Sequence, residues 1–185
     1  NVIYVHPWSW RCRQEHSANP FNPYGYGPST TMPEASLVGT SREYDWGVHN
    51  PIKNGGNRKD MWRTLTRDEW QYLLTGRPNA KQLQLMYDVK GVHGLLLLPD
   101  NFQGDVSQMS FKQLEKQGAI FLPGGGMRFH LVVVDAGNQG SYWSSTAATI
   151  GSAYFLGVYP GYASLSTELY GRHPGRCVRL VKDVK

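Results

Sequence analysis

The chain has 185 residues, 40% of them hydrophobic and only 18% charged, with a net charge of +5 at pH 7. That length suits one domain with a buried core. The Lys and Arg residues are scattered and form no basic patch interleaved with aromatics, which argues against a nucleic-acid partner. No apolar run approaches the roughly 18 residues of a membrane span; the longest, at 95–98 and 131–134, are strand-sized.

Residues 1–40 carry little periodicity. Val2-Ile3-Tyr4-Val5 alternates weakly, as a first strand would, and a series of Asn-Pro, Gly and Met-Pro turn signals follows. This segment reads as a long irregular lead-in. Residues 41–57 give a short aromatic segment, Tyr44-Asp45-Trp46-Gly47, then an Asn54-Gly55-Gly56-Asn57 turn. The clearest helix opens after Leu65. Thr66 with Glu69 three residues on forms a capping box, and Asp68 and Glu69 favour the positive helix end. Trp70, Leu73 and Leu74 make the apolar stripe, and Gly76 is placed to end it.

Residues 92–99 predict a buried strand stopped by Pro99. A second helix is expected over 111–117, capped by Ser110 with Gln113 in the box position and ended by Gly118. Strands are then expected at 119–123, 127–135, 142–146, 153–158 and 177–181, with Gly124-Gly125-Gly126 as a loop. High Gly (21) and Pro (11) agree with short strands and many turns.

Several blocks occur in a fixed order: Tyr44-Asp45-Trp46-Gly47, Trp62-Arg63-Thr64-Leu65-Thr66 with Asp68-Glu69-Trp70, Leu97-Leu98-Pro99-Asp100, Phe121-Leu122-Pro123, Tyr142-Trp143-Ser144-Ser145-Thr146, and Gly175-Arg176 with Val178-Arg179-Leu180-Val181. Together they resemble the Fibrobacter succinogenes major paralogous domain, a C-type-lectin-like family of Bacteroidota surface proteins. The resemblance covers residues 40–181. It implies an α+β fold of the C-type-lectin-like type, with two helices and short antiparallel strands in a single domain spanning 1–185. Three glycines stand where the family favours alanines after Phe-Leu-Pro, and Cys177 replaces a common Ser.

The chemistry-bearing residues point away from catalysis. A phosphate cradle at Gly124–Gly126 would need a helix after it, and a strand is expected instead. Six His residues stand apart with no ligand-like spacing, and no clustered oxygen donors suggest calcium. His93, beside a buried strand, reads as a structural histidine. Cys177, flanked by Arg176 and Arg179, reads as a buried scaffold thiol; Cys12 and Cys177 are either a disulfide or two independent thiols. The formylglycine-generating enzymes share the lectin-like fold but use a close Cys pair, which this chain lacks. The expectation is therefore no catalytic residue, no metal and no cofactor.

Residues 147–175 contain no Lys, Gln, Met or Trp and a single Glu, Glu168. Average usage would give those five types roughly a fifth of positions. They are the residues that an AAY asparagine codon cannot reach by changing its adenines. Adenine-directed change is how diversity-generating retroelements vary the C-terminal face of lectin-like proteins, between a Trp-rich scaffold and a closing strand. The resemblance thus suggests a ligand-binding region within 142–181, on a loop-rich face bearing Ala148, Thr149, Ile150, Gly151, Ser152, Phe155, Gly157, Tyr159, Tyr162, Leu169, Tyr170, His173 and Pro174. Trp143, Tyr154 and Leu156 are expected beneath that face, and Arg176 in a salt bridge.

The expected partner is a protein or glycan on another cell or surface, with the chain at the cell surface, outside the cell, or on a phage virion. Self-association, or attachment to a larger surface or fibre protein, fits the same reading. The rival is a structural module of a fibre or virion tip. The chain begins without Met and shows no signal-peptide pattern, as a mature or trimmed form would.

Overall fold

Thr66 starts helix α2 (Arg67–Gln71) as the sequence dictates: its Oγ accepts from the Glu69 N–H at 3.2 Å, and Glu69 Oε2 accepts from the Thr66 N–H at 2.8 Å. The helix runs into a π-turn, Tyr72–Gly76, and ends at Gly76 as expected. Trp70 and Leu74 are buried, with Leu73 packed against the same cluster. Helix α3 (Phe111–Lys116) follows the same logic: Gln113 Oε1 accepts from both the N–H and the Oγ of Ser110, at 2.8 and 2.7 Å.

The computed structural model describes residues 36–129, 132–149, 152–167 and 174–183. The first element of regular helix is the single turn α1 (Trp46–His49), whose cap, Asp45, accepts from the Gly47 N–H. The described residues form ten strands: β1 (Arg63–Thr64), β2 (Gln84–Val89), β3 (Val92–Leu97), β4 (Ile120–Pro123), β5 (Gly125–Phe129), β6 (Val132–Ala136), β7 (Gly140–Thr149), β8 (Ser152–Tyr159), β9 (Tyr162–Thr167) and β10 (Leu180–Val181). The class is α+β, mostly strand with few helices. The predicted strand over 2–5 lies outside the described residues.

Strands β2, β3 and β4 form one sheet, antiparallel throughout. β3 is its centre, and alternate leucines serve two different cores. Leu95 and Leu97 join Leu65, Trp70, Leu122, Tyr142 and Leu156; Leu96 and Leu98 join Leu83, Leu114 and Phe121. Gly94 is required for this packing, since a Cβ there would lie 2.4 Å from the Leu122 carbonyl oxygen and 2.6 Å from the Phe121 ring. Strand β2 is an addition to the sequence expectations. Its signals are the alternation Leu85, Tyr87, Val89, all packed on the second core, and the two-residue Lys90-Gly91 loop with φ of 53° and 80°. Both central residues lie in the left-handed region that a tight hairpin demands.

The second sheet has the order β6-β5-β7-β8-β9. Three expectations are corrected here. Residues 127–135 are two strands, β5 and β6, closed by the pair Phe129 and Val132, because the chain folds back on itself inside the apolar run. Gly125 and Gly126 belong to β5, and Gly126 pairs in parallel with Gly140, where the absent side chains let the two backbones meet. Residues 147–175, expected as a loop-rich face around one strand at 153–158, hold more sheet than that: β7 runs to Thr149, β8 covers the expected strand, β9 follows, and Pro160-Gly161 joins the last two with Gly161 at φ 89°. Pro followed by a positive-φ Gly is a type II turn signal.

Strand β7 is the axis of the molecule. β8 pairs along its length, with bulges after Trp143 and after Ala147. Along the same strand, the Leu37 N–H donates to Ser145 O (2.7 Å), the Ser145 N–H to Leu65 O (2.8 Å), and the Trp143 N–H to Cys177 O (2.9 Å). The closing strand expected over 177–181 is correspondingly split. Cys177 bridges Tyr142 of β7, and only Leu180 and Val181 ladder with β1, because the chain steps across from one sheet to the other between them. A third core, with Leu37, Ile52, Trp143, Phe155, Val178 and Leu180, fills the angle so formed.

Candidate functional site

Pro160-Gly161 turns β8 back as β9 and puts Phe155 opposite Ser166, Gly157 opposite Ser164, and Tyr159 opposite Tyr162. The two tyrosine rings stack, with centroids 5.0 Å apart and planes at 27°. Gly157 makes room for this: a Cβ there would lie 2.4 Å from the Tyr159 ring. Tyr162 is 58% exposed and Tyr159 half-buried. The β8–β9 end of the sheet therefore presents an aromatic ledge held by backbone pairing.

Beside the ledge lies a half-open cleft of about 300 Å³. Its walls come from β5, β7, β8 and β9, and it is lined by Phe155, Tyr159, Ser166 and Thr167, with Ser141, Gln139, Asp135 and Arg176. Arg176 is 7% exposed. Its guanidinium rests 3.7 Å from the Phe155 ring centroid and 5.1 Å from that of Trp143, and Phe155 meets Trp143 edge-on at 6.3 Å. Loss of water around this buried cation pulls its pKa down to about 10, with Tyr159 acting weakly the other way. Ser141, 5% exposed, has an Oγ with no hydrogen-bond partner among the described residues.

The structure divides the expected binding residues. Phe155, Gly157, Tyr159 and Tyr162 come together at the ledge and cleft, although Phe155 is a buried wall rather than a projecting contact. Ala148, Thr149 and Ser152 sit at the opposite end of β8, where Thr149 pairs with Ser152. Ser152 and Tyr159 stand at the two ends of the eight-residue β8, about 23 Å apart, with Phe155 between them. Pro174 is fully buried and unavailable to a partner. Ile150, Gly151, Leu169, Tyr170 and His173 lie outside the described residues. Trp143 and Leu156 are buried as expected; Tyr154 is half-buried, with the Arg67 guanidinium 5.3 Å from its ring centroid. Ser166, Thr167 and Gln139 were missed because their position depends on β9 and on the β5–β7 junction, which no local pattern announces. Arg176 stacks on the rings of Phe155 and Trp143.

A second, wider cleft of about 780 Å³ is lined by Arg42, Arg58, Arg63 and Lys182 with Asp60 and Asp183. Its charges are largely occupied with one another. Arg63 forks onto Glu69 (2.6 Å) and Asp183 (2.7 Å), and Arg42 pairs with Asp60. Arg63 holds the Glu69 carboxyl below its ordinary range. This cluster ties the last strand to the start of α2 and reads as structure. Behind it, Asp45 is buried and accepts from the N–H of Gly47 and of Thr64 and from the Thr64 hydroxyl; burial nonetheless raises its pKa.

Cys177 is half-buried, and desolvation pushes its thiol up to about 11, so it is a poor nucleophile at neutral pH. Cys12 lies outside the described residues. His93 Nδ1 is 3.5 Å from Asp88 Oδ2, and its Nε2 is buried with no partner among the described residues, so the imidazole is only partly satisfied. Among the described residues no three His, Cys, Asp or Glu side chains converge as metal ligands, and no helix is long and apolar enough to cross a membrane. Comparison of the chain with protein-family models, with curated proteins and with solved structures finds no match in any of the three.

Proposed function

We propose that this chain is a recognition module of the C-type-lectin-like type, binding a protein or glycan through the β8–β9 ledge and the cleft beside it, without turnover and without a metal or cofactor. The observation that carries this reading is the pairing of exposed Tyr162 and half-buried Tyr159 on a rigid hairpin beside a cleft of hydroxyl, amide and aromatic groups. Aromatic anchors offer large contact area at low entropic cost, and strands hold them in place. The motif order and the residue bias over 147–175 support membership of the Fibrobacter succinogenes major paralogous domain family, on a cell surface or phage virion, with this face diversified by a retroelement. A glycan and protein array probed with the wild type and with a Tyr159→Ala/Tyr162→Ala variant tests it. The expected result is hits that weaken at least about tenfold in the variant, with the melting temperature little changed. Hits that are unaffected overturn the assignment of this face.

One observation favours a second reading, a structural module assembled edge to edge. β6 is an edge strand with all five residues exposed, among them Val132, Val133 and Val134. Unprotected apolar edges pair readily. Concentration-dependent association abolished by Val133→Lys, with no ligand found, would favour that reading.

A further inference from the structure

We propose that the β8–β9 cleft takes one uncharged sugar ring, with two neighbouring hydroxyls on the Asp135 carboxylate and the others on Gln139, Ser166 and Thr167. This rests on the recognition reading above and names the ligand class for the same site. The strand register explains why these groups converge. Phe155 and Tyr159 stand four apart on β8, Ser166 pairs with Phe155, and Ser141 pairs with Gly157 between the two aromatics. Cross-strand partners point to one side of a sheet, so all four side chains rise from the same face. Asp135 and Gln139 reach the cleft from the turn between β6 and β7. Asp135 O accepts from the Asn138 and Gln139 N–H groups at 3.1 and 2.9 Å, Gly124 O from the Gly137 N–H at 2.6 Å, and Gln139 O from the Gly126 N–H at 2.8 Å. The turn is thus pinned to the start of β5, and the backbone carrying the two polar side chains is preorganised.

The chemistry of the lining selects the ligand. Among the described residues the side chains of Asp135, Gln139, Ser166 and Thr167 make no hydrogen bond of their own. A carboxylate offers two acceptor oxygens, which suit hydroxyls on adjacent carbons, while the amide and the hydroxyls both donate and accept. Ser141, 5% exposed, has an Oγ with no partner among the described residues, and a ligand hydroxyl satisfies it after one rotamer turn. Phe155 and Tyr159 give an apolar wall for the C–H face of the ring. Arg176 enters only as the backing of that wall, with its guanidinium 3.7 Å from the Phe155 ring centroid. Asp135 and Arg176 carry opposite charges, so the lining has no net charge to favour an ionic ligand. A volume of about 300 Å³ lies at the small end of ligand sites and suits one ring. Peptides are held by a free strand edge, an apolar groove or a cluster of charge; this cleft opens on a sheet face and holds a single acid.

Titration of the full chain with methyl glucoside, methyl galactoside, methyl mannoside, methyl glucuronide and a short end-blocked peptide, followed by shifts of backbone amide signals, tests this. The expected result is saturable binding of at least one uncharged glycoside, with the shifts centred on β8, β9 and the turn at 135–139. Asp135→Asn should weaken it at least about tenfold, because a neutral amide replaces a charged acceptor. Asn tolerates the left-handed backbone of position 135, at φ 58°, so this variant keeps the fold. Ser166→Ala should weaken binding severalfold. Binding unchanged in Asp135→Asn, or no saturation by any of the three uncharged glycosides, overturns the proposal. Glucuronide binding tenfold tighter than the best uncharged glycoside overturns the uncharged class, and a peptide that shifts the same signals more tightly overturns the sugar assignment. Array hits lost in Tyr159→Ala/Tyr162→Ala would leave the recognition face standing in each of these cases; hits indifferent to those changes would remove it as well.

Discussion

Arg77 and Arg176 are buried to nearly the same degree, 6% and 7% exposed, yet their surroundings differ in kind. Arg77 sits beyond the π-turn and spends its donors on the scaffold: Leu73 O at 3.0 Å, Leu98 O at 2.7 Å, Leu83 O at 3.1 Å, and Asp100 at 3.1 Å. It supplies donors to carbonyls of three separate segments. Arg176 lies with its face on two aromatic rings at the wall of a cleft, and its environment disfavours the charge. A buried arginine can thus be held through its donors by carbonyls, as Arg77 is, or through its flat face by aromatic rings, as Arg176 is. The degree of burial alone does not separate the two.

The comparison breaks most readily at Arg77. Arg77→Met removes a donor from the Leu73, Leu83 and Leu98 carbonyls, the Leu83 oxygen keeping the Leu98 N–H, and should cost about 3–5 kcal/mol, read by denaturant unfolding. Arg176→Met keeps an apolar chain on the same rings and should cost less than Arg77→Met, read the same way. Equal losses in the two variants would erase the distinction.

The smallest effect concerns a third arginine, Arg63, whose partners are partly exposed. Its guanidinium lowers the pKa of Glu69 from 4.5 and that of Asp183 from 3.8. A carboxyl lowered in the fold gives stability that is present above its ordinary value and lost as the pH falls through its folded value. Acid unfolding followed below pH 4.5 should therefore flatten in Glu69→Gln, by less than about 1 kcal/mol because the pair is screened. Asp45 works in the opposite sense: burial raises its pKa, so its protonation favours the fold as the pH falls.

What could be read in advance was local. Both capping boxes depend on residues three apart, and both formed. The leucine run at 95–98 and the aromatic pair Tyr142-Trp143 are apolar enough to be buried in any fold, and they are. What could not be read required partners distant in sequence. Residues 147–175 are rich in Gly, Ser and Thr, and small polar residues look like loop until a neighbouring strand supplies their hydrogen bonds; Ser164, Ser166 and Thr167 become strand because β8 pairs with them. Phe155 looked like a surface anchor, and only the arrival of Arg176 and Trp143 on the same side turns it into a wall. The cleft itself joins residues from 126 to 176, and no spacing rule spans them.

The position of β7 also sets an order in time. Its backbone is fastened by Leu37 and Leu65 from the early part of the described chain and by Cys177 from its far end. The β2–β3 hairpin and helix α3 rest on near neighbours and can form early. The central strand cannot be secured on all sides until the last segment has arrived. During synthesis, then, the core shared by Trp143 and Phe155 cannot be completed until Val178 and Leu180 have left the ribosome.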